Sequence, residues 1–206
     1  KSHKKLPKKD SLNKFNWLMD LSEKHNLTSS FYFICGKTHS QTDADYEVKH
    51  PAIRALMKEI HMRGHEVGLH PSYNTCHNPE AIVKEAKELR RICTEENIKQ
   101  QEWGGRMHYL RWKHPTTLYG WEAANMSYDS TLGYADYAGF RCGTCFEYPA
   151  YDPVADCQIN IRIRPLIVMD VTILAKGYMG LEATKSAFNK ITELKNACRV
   201  VGGTFT

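Results

Sequence analysis

The histidines of Gly64-His-Glu-Val-Gly-Leu-His70 are the residues whose type and setting most directly suggest chemistry. Imidazole is a general base near neutral pH and a ligand for borderline metals such as zinc. A zincin-type pair needs histidines four apart on one helical face, whereas His65 and His70 are five apart. On a strand, an odd offset sends the two side chains to opposite faces. They therefore do not bind one metal together. His65 fits a hydrogen-bonded histidine in the core or at a helix end. His70 stands where an apolar run gives way to Pro71-Ser-Tyr-Asn74, the place from which a parallel strand presents a ligand at its carboxyl end. Spacing alone leaves two readings of His70, metal ligand and loop cap.

Cys142-Gly-Thr-Cys145 could chelate zinc or form a redox couple. A zinc ribbon needs a second such pair, and a thioredoxin-type motif opens a helix after the first strand; neither context is present, so the pair reads as ordinary loop cysteines. The seven cysteines are odd in number, irregularly spaced and partly in apolar contexts, which suits free thiols in a reducing, cytoplasmic compartment. The 206 residues, 42% hydrophobic, are enough for one domain with a real core. The net charge of +5 owes part of its excess to the segment 1–9, which reads as a basic flexible arm before a domain at 10–206. The remaining charge is mixed and forms no basic stripe, so no nucleic-acid partner is expected. No apolar run is long enough to span a bilayer, and no apolar segment follows the first lysines as in a secretory leader.

The elements that must position these residues follow from periodicity. Apolar residues at helical spacing predict helices at 10–25, 52–63, 79–96, 115–125 and 181–198. Strands are predicted at 29–35, 66–70, 102–109 and 126–128, with further ones at 139–141 and 162–171. Such alternation argues for parallel β/α units, either an open doubly wound sheet or a barrel; both collect chemistry at the carboxyl ends of the strands. No glycine-rich nucleotide fingerprint occurs. The tyrosine- and phenylalanine-rich stretch 129–161 is read as irregular, suiting either a substrate-facing loop or aromatic packing beneath one.

Gly64-His-Glu-Val-Gly-Leu-His70-Pro-Ser-Tyr-Asn74 resembles the second motif of the polysaccharide deacetylases, the NodB-homology family of family-four carbohydrate esterases. Gly105-Arg106-Met-His-Tyr109 resembles the third motif, and Pro165-Leu-Ile-Val-Met-Asp170 the strand that delivers the aspartate of the fourth. Residues 128–144 are similar to a bacterial subgroup linked to surface-polysaccharide synthesis, and the likeness spans roughly residues 10–206. The resemblance implies a distorted (β/α) barrel and a divalent metal, zinc, that polarises an acetamide carbonyl and activates water. It further implies that His70 is a metal ligand, that Arg106 orients the base, that the Tyr109 N–H holds the oxyanion and that Asp170 supports the acid.

The departures bear on activity. Asn74 occupies the second metal histidine's seat, a weaker zinc ligand than imidazole. His108 stands where the motif has proline and could supply the missing nitrogen, or could be a satisfied rim histidine. Asp43 and Asp45 form a pair in a polar loop past the first strand and are not assigned as the first-motif aspartates. Residues 200–206 look like the start of a strand that would carry the last motif's histidine, so the barrel is expected to be truncated at both ends. Three functions are carried forward: a metal-dependent deacetylase acting on a polysaccharide or lipid-linked sugar, an inactive glycan- or partner-binding barrel of the same lineage, and another sugar hydrolase with a carboxylate pair near Asp136, Glu147 or Asp170.

Overall fold

In the computed structural model, residues 13–206 are described; the 1–9 arm lies outside them. The chain runs α1 (Phe15–Lys24), β1 (Ser30–Phe33), α2 (Pro51–Met62), β2 (Glu66–Leu69), α3 (Pro79–Glu95), β3 (Gly104–Gly105), α4 (Thr116–Ala123), β4 (Tyr128–Asp129), β5 (Tyr148–Asp152), β6 (Cys157–Ile163), α5 (Asp170–Leu174) and α6 (Lys185–Val201). The strands form one sheet of six in the order β1-β2-β3-β4-β6-β5, and among the described residues it does not close on itself. All neighbours pair in parallel except β5, which is antiparallel to β6. This is a mixed α/β fold with a mostly parallel sheet.

Helix ends follow sequence chemistry. His50 and Asn78 accept the Ala52 and Ala81 N–H groups ahead of Pro51 and Pro79, so α2 and α3 each begin with a side-chain cap and a proline in the first turn. Gly64 ends α2 in the left-handed region at φ 79°, and this turn lets His65 N donate back to the Ile60 carbonyl at 3.1 Å. Phe33, Val67 and Leu69 turn toward the helices and join Leu56, Ile60, Ile82, Leu89, Ile92 and Trp121 in the main core. The other face of β1 and β2 carries the polar groups of Ser30, Tyr32 and Glu66: Ser30 donates to Glu66, and the Tyr128 hydroxyl reaches the same carboxylate at 3.1 Å.

Several sequence expectations are corrected. The 102–109 strand shrinks to two glycines, at which the sheet is too tight for side chains. A Cβ on Gly105 would lie 2.0 Å from the Leu69 carbonyl oxygen, and one on Gly104 would lie 2.1 Å from the Tyr128 ring. Beyond them the chain leaves ladder geometry, although Arg106 N still donates to Leu69 O at 3.1 Å. Residues 139–141 are not a strand. The 162–171 strand divides: β6 ends at Ile163, and Asp170 opens α5 instead of ending a strand. The β5–β6 hairpin occupies much of the stretch read as irregular; its alternating burial was obscured by Pro149 and by a register shift between Pro149 and Ala150.

A second cluster joins Ile167, Ile173, Leu194 and Cys198 to Ala138 and Cys145 of the long loop. The C-terminal residues run alongside 165–168, with Ile167 N and Val168 N both donating to Thr206 O, at 3.0 and 3.2 Å. All seven cysteines are free thiols, and Cys142 and Cys145 diverge: Cys142 donates toward the Leu132 carbonyl while Cys145 is buried in the second cluster. Among the described residues, no helix is long and apolar enough to cross a membrane.

Candidate functional site

Three parallel strands end side by side and deliver His70, Arg106 and Asp129 to one rim. His70 follows β2, its backbone N–H donating to Phe33 O at 2.9 Å, which fixes the start of the loop. Its ring Nδ1 lies 2.6 Å from the Arg106 carbonyl oxygen. Its Nε2 lies 2.9 Å from Nδ1 of His108, and His108 Nε2 lies 2.8 Å from the Thr42 carbonyl oxygen.

The proton count of this chain of contacts is decisive. A carbonyl oxygen only accepts, so His70 Nδ1 and His108 Nε2 must each carry a hydrogen. Two neutral imidazoles have no others, which leaves His70 Nε2 and His108 Nδ1 facing each other as lone pairs. The contact is completed either by a third proton or by a cation. Burial, followed by the neighbouring His108, pushes His70 down to about 4. An imidazole whose outer N–H is committed to a backbone carbonyl is also the usual condition of a metal-ligating histidine. The position between the two rings is thus open to a shared proton or to a cation.

Asp43 builds the wall that His108 leans on. Its carboxylate accepts the backbone N–H groups of Thr38, His39 and Tyr73, each at 2.7 Å, and the side chain is buried. Burial alone would raise its pKa, but the N–H groups of Tyr73, His39 and Thr38 outweigh it and hold the carboxyl below the ordinary range. This fold of 38–43 carries the Thr42 carbonyl to His108 and ties down the loop after His70. From the other side, Ser72 N donates to the buried Glu85 carboxylate of α3 at 3.0 Å.

Arg106 is held by Ser130, donating Nε to its carbonyl at 2.9 Å and Nη2 to its hydroxyl at 3.1 Å. Its guanidinium lies 5.6 Å from the Tyr32 ring centroid, and its remaining N–H groups have no partner among the described residues. Tyr109 sits in the left-handed region at φ 55°, with Leu110 next to it at φ 52°. Two such non-glycine residues in succession cost about 1–3 kcal/mol each, a kind of strain that clusters at functional sites. The Tyr109 backbone N–H likewise has no acceptor among the described residues, and its ring packs edge-on to His108 at 4.7 Å.

The structure thus brings together His70, His108, Arg106 and Tyr109. Asn74 is turned elsewhere: its Nδ2 donates to Thr38 O at 3.0 Å and its Oδ1 accepts from Arg111 at 3.2 Å. Asp170 is exposed at the start of α5, where it accepts its neighbour's Val171 N–H at 2.7 Å. Nor are Asp136, Glu147 and Asp170 drawn into a carboxylate pair: Glu147 lies between Arg162 and Arg164, while the other two are exposed. Sequence reasoning missed the parts played by Asp43 and by Asp129. Asp129 is fully buried, accepts from Thr131 and from Trp112 Nε1, and is pushed up to about 6 by burial. The signal for both was a short-chain carboxylate in a turn, Thr-Asp-Ala and Tyr-Asp-Ser-Thr, a pattern common in loops of every kind. No family model and no curated protein matches this chain.

Proposed function

We propose that this chain is a metal-dependent deacetylase-like domain of the polysaccharide deacetylase type, hydrolysing N-acetyl groups of a polysaccharide or lipid-linked sugar. In this reading the six-stranded sheet is part of a distorted (β/α) barrel. The observation that carries it is the pair of facing lone pairs on His70 and His108, beside donors that have no acceptor among the described residues. His70 and His108 would hold a divalent metal, zinc by the preference of imidazole. When bound, such an ion polarises a carbonyl and lowers the pKa of water. Tyr109 contributes its free backbone N–H to a developing oxyanion. Arg106 offers its unpartnered N–H groups to a carboxylate acting as base. Asp170 keeps the acid-supporting role that the resemblance gives it, and Asn74 is a ligand once released from Arg111. The free thiols favour a reducing, cytoplasmic location.

A second reading, a non-catalytic barrel that binds a glycan or a partner, draws on a different observation. The described residues hold no cluster of three or more His, Cys, Asp or Glu suited to a metal, and a catalytic zinc has three protein ligands.

Titration with zinc or cobalt, followed by calorimetry and the visible spectrum of cobalt, tests the proposal. The native protein is expected to take up one ion, with affinity lowered by at least about 100-fold, the upper range for loss of an outer-shell partner, in His70→Ala. Absence of uptake, with saccharide binding indifferent to chelator, would reject the enzyme in favour of the binding module.

A further inference from the structure

Charge and aromatic surface are distributed unevenly around the histidine pair. Arg54, Arg63, Arg91, Arg162 and Arg164 all pair with carboxylates. Arg106 and Arg111, on the segment that carries His108, pair with none among the described residues; nor do Arg90 and Arg141, which donate to backbone carbonyls, or Arg199. Arg111 is half-buried, yet its only side-chain hydrogen bond there goes to the neutral Asn74 oxygen. Its guanidinium carbon lies over the Tyr73 ring, 3.9 Å from the centroid. A planar guanidinium supported on an aromatic face, with N–H edges free, is the usual receptor for carboxylate and phosphate oxygens.

The rings beside it form a continuous wall. Tyr73 meets His39 at 5.2 Å and Tyr109 at 5.5 Å, and Tyr109 meets His108 at 4.7 Å. Tyr109 is nonetheless 65% exposed, held out by a backbone conformation that a tyrosine rarely adopts. An exposed ring fixed in this way is a platform on which the apolar face of a sugar can rest.

We infer that this mouth selects an anionic saccharide, with a sugar ring on Tyr109 and a carboxylate or phosphate on Arg111, next to the residue whose acetamido group faces the histidines. The inference takes its saccharide and its last clause from the deacetylase reading; the anion on Arg111 stands on the geometry alone. Arg111 is accordingly a specificity residue, and a neutral glycan leaves its charge unanswered.

The test uses chelator-treated, isotope-labelled protein and three tetrasaccharides: a neutral N-acetylglucosamine tetramer, one alternating N-acetylglucosamine with glucuronate, and the neutral tetramer carrying a terminal phosphate. Dissociation constants are read from amide shifts. At least one acidic ligand is expected to bind about tenfold tighter than the neutral one at low salt, with the advantage shrinking several-fold at roughly 0.3 M salt. The acidic ligand that gains more identifies carboxylate or phosphate as the preferred group. Arg111→Gln should erase the advantage, and Arg111→Lys should keep part of it, with folding of both checked by their spectra. Equal binding of neutral and acidic ligands, no binding of any, or an advantage that survives Arg111→Gln overturns the inference. Because metal is absent from this assay, anionic preference without zinc uptake in the separate titration rejects the deacetylase reading alone, and zinc uptake without anionic preference rejects this inference alone.

Discussion

Asp43→Ala is expected to lower the unfolding free energy by about 3–4 kcal/mol and to abolish tight metal uptake, although Asp43 touches neither histidine ring. Three backbone N–H groups, from Thr38, His39 and Tyr73, converge on this one carboxylate. Hydrogen bonds to a charged acceptor contribute about 1.5–3 kcal/mol each, and water entering the vacated site recovers part of the loss, which sets the smaller net figure. The consequence for the site is geometric. Without its carboxylate anchor the 38–43 loop no longer presents the Thr42 carbonyl to His108 Nε2, a contact of 2.8 Å. His108 is then free to change tautomer or rotate, and the lone pair facing His70 is lost. Asp43→Asn keeps an acceptor for part of the set and should fall between the native protein and alanine in both measurements. Urea unfolding and cobalt titration on the same samples check this; native metal affinity in a destabilised Asp43→Ala protein would show that the loop does not position His108.

How far this site was legible depends on whether a residue acts through local pattern or through partners distant in sequence. His70 could be found because an apolar run ending in Gly-Leu-His marks a strand end, and β2 ends at Leu69. The Gly-Arg step of 105–106 could be found for the same reason, even though the strand around it is two residues long. His108 was reachable only as an option. Its place against His70 depends on three strands lying in parallel register, and on the left-handed turn at Tyr109 and Leu110, for which neither residue type gives a sign. Asp43 was set aside for lying in a polar loop, yet that loop folds around it; the N–H of Tyr73 that completes the set comes from thirty residues away. The hairpin of β5 and β6 was missed because a proline and a bulge break the alternation that announces a strand. Helices fared best, since caps such as Asn78-Pro79 and stops such as Gly64 act within a few residues of where they stand.

Asp129 should make stability depend on pH in the direction opposite to most carboxylates. Burial pushes its folded pKa to about 6, above the ordinary 3.8, against the hydrogen bonds of Thr131 and Trp112. A raised folded pKa means that the folded state binds the proton more tightly than the unfolded one. Its favourable contribution is therefore fully present below about pH 4 and is lost as pH rises through about 6, a change of about 3 kcal/mol for this size of shift. His70 acts the other way across almost the same window, because its folded pKa, near 4, lies below the ordinary 6.5 and its contribution is lost as pH falls. The slope of the native protein alone therefore mixes the two. The difference between native protein and Asp129→Asn isolates the carboxyl, since His70 is common to both. Asparagine removes the titration but turns an amide toward Trp112 Nε1, a donor 3.2 Å from Asp129 Oδ2, so it is expected to be the less stable protein at pH 4. Between pH 4 and pH 7 the gap should close by about 3 kcal/mol in favour of asparagine, read by urea unfolding at intervals of half a pH unit. A gap that stays constant across this range would place the Asp129 carboxyl in its ordinary, ionised state and make it a fixed anion behind Arg106.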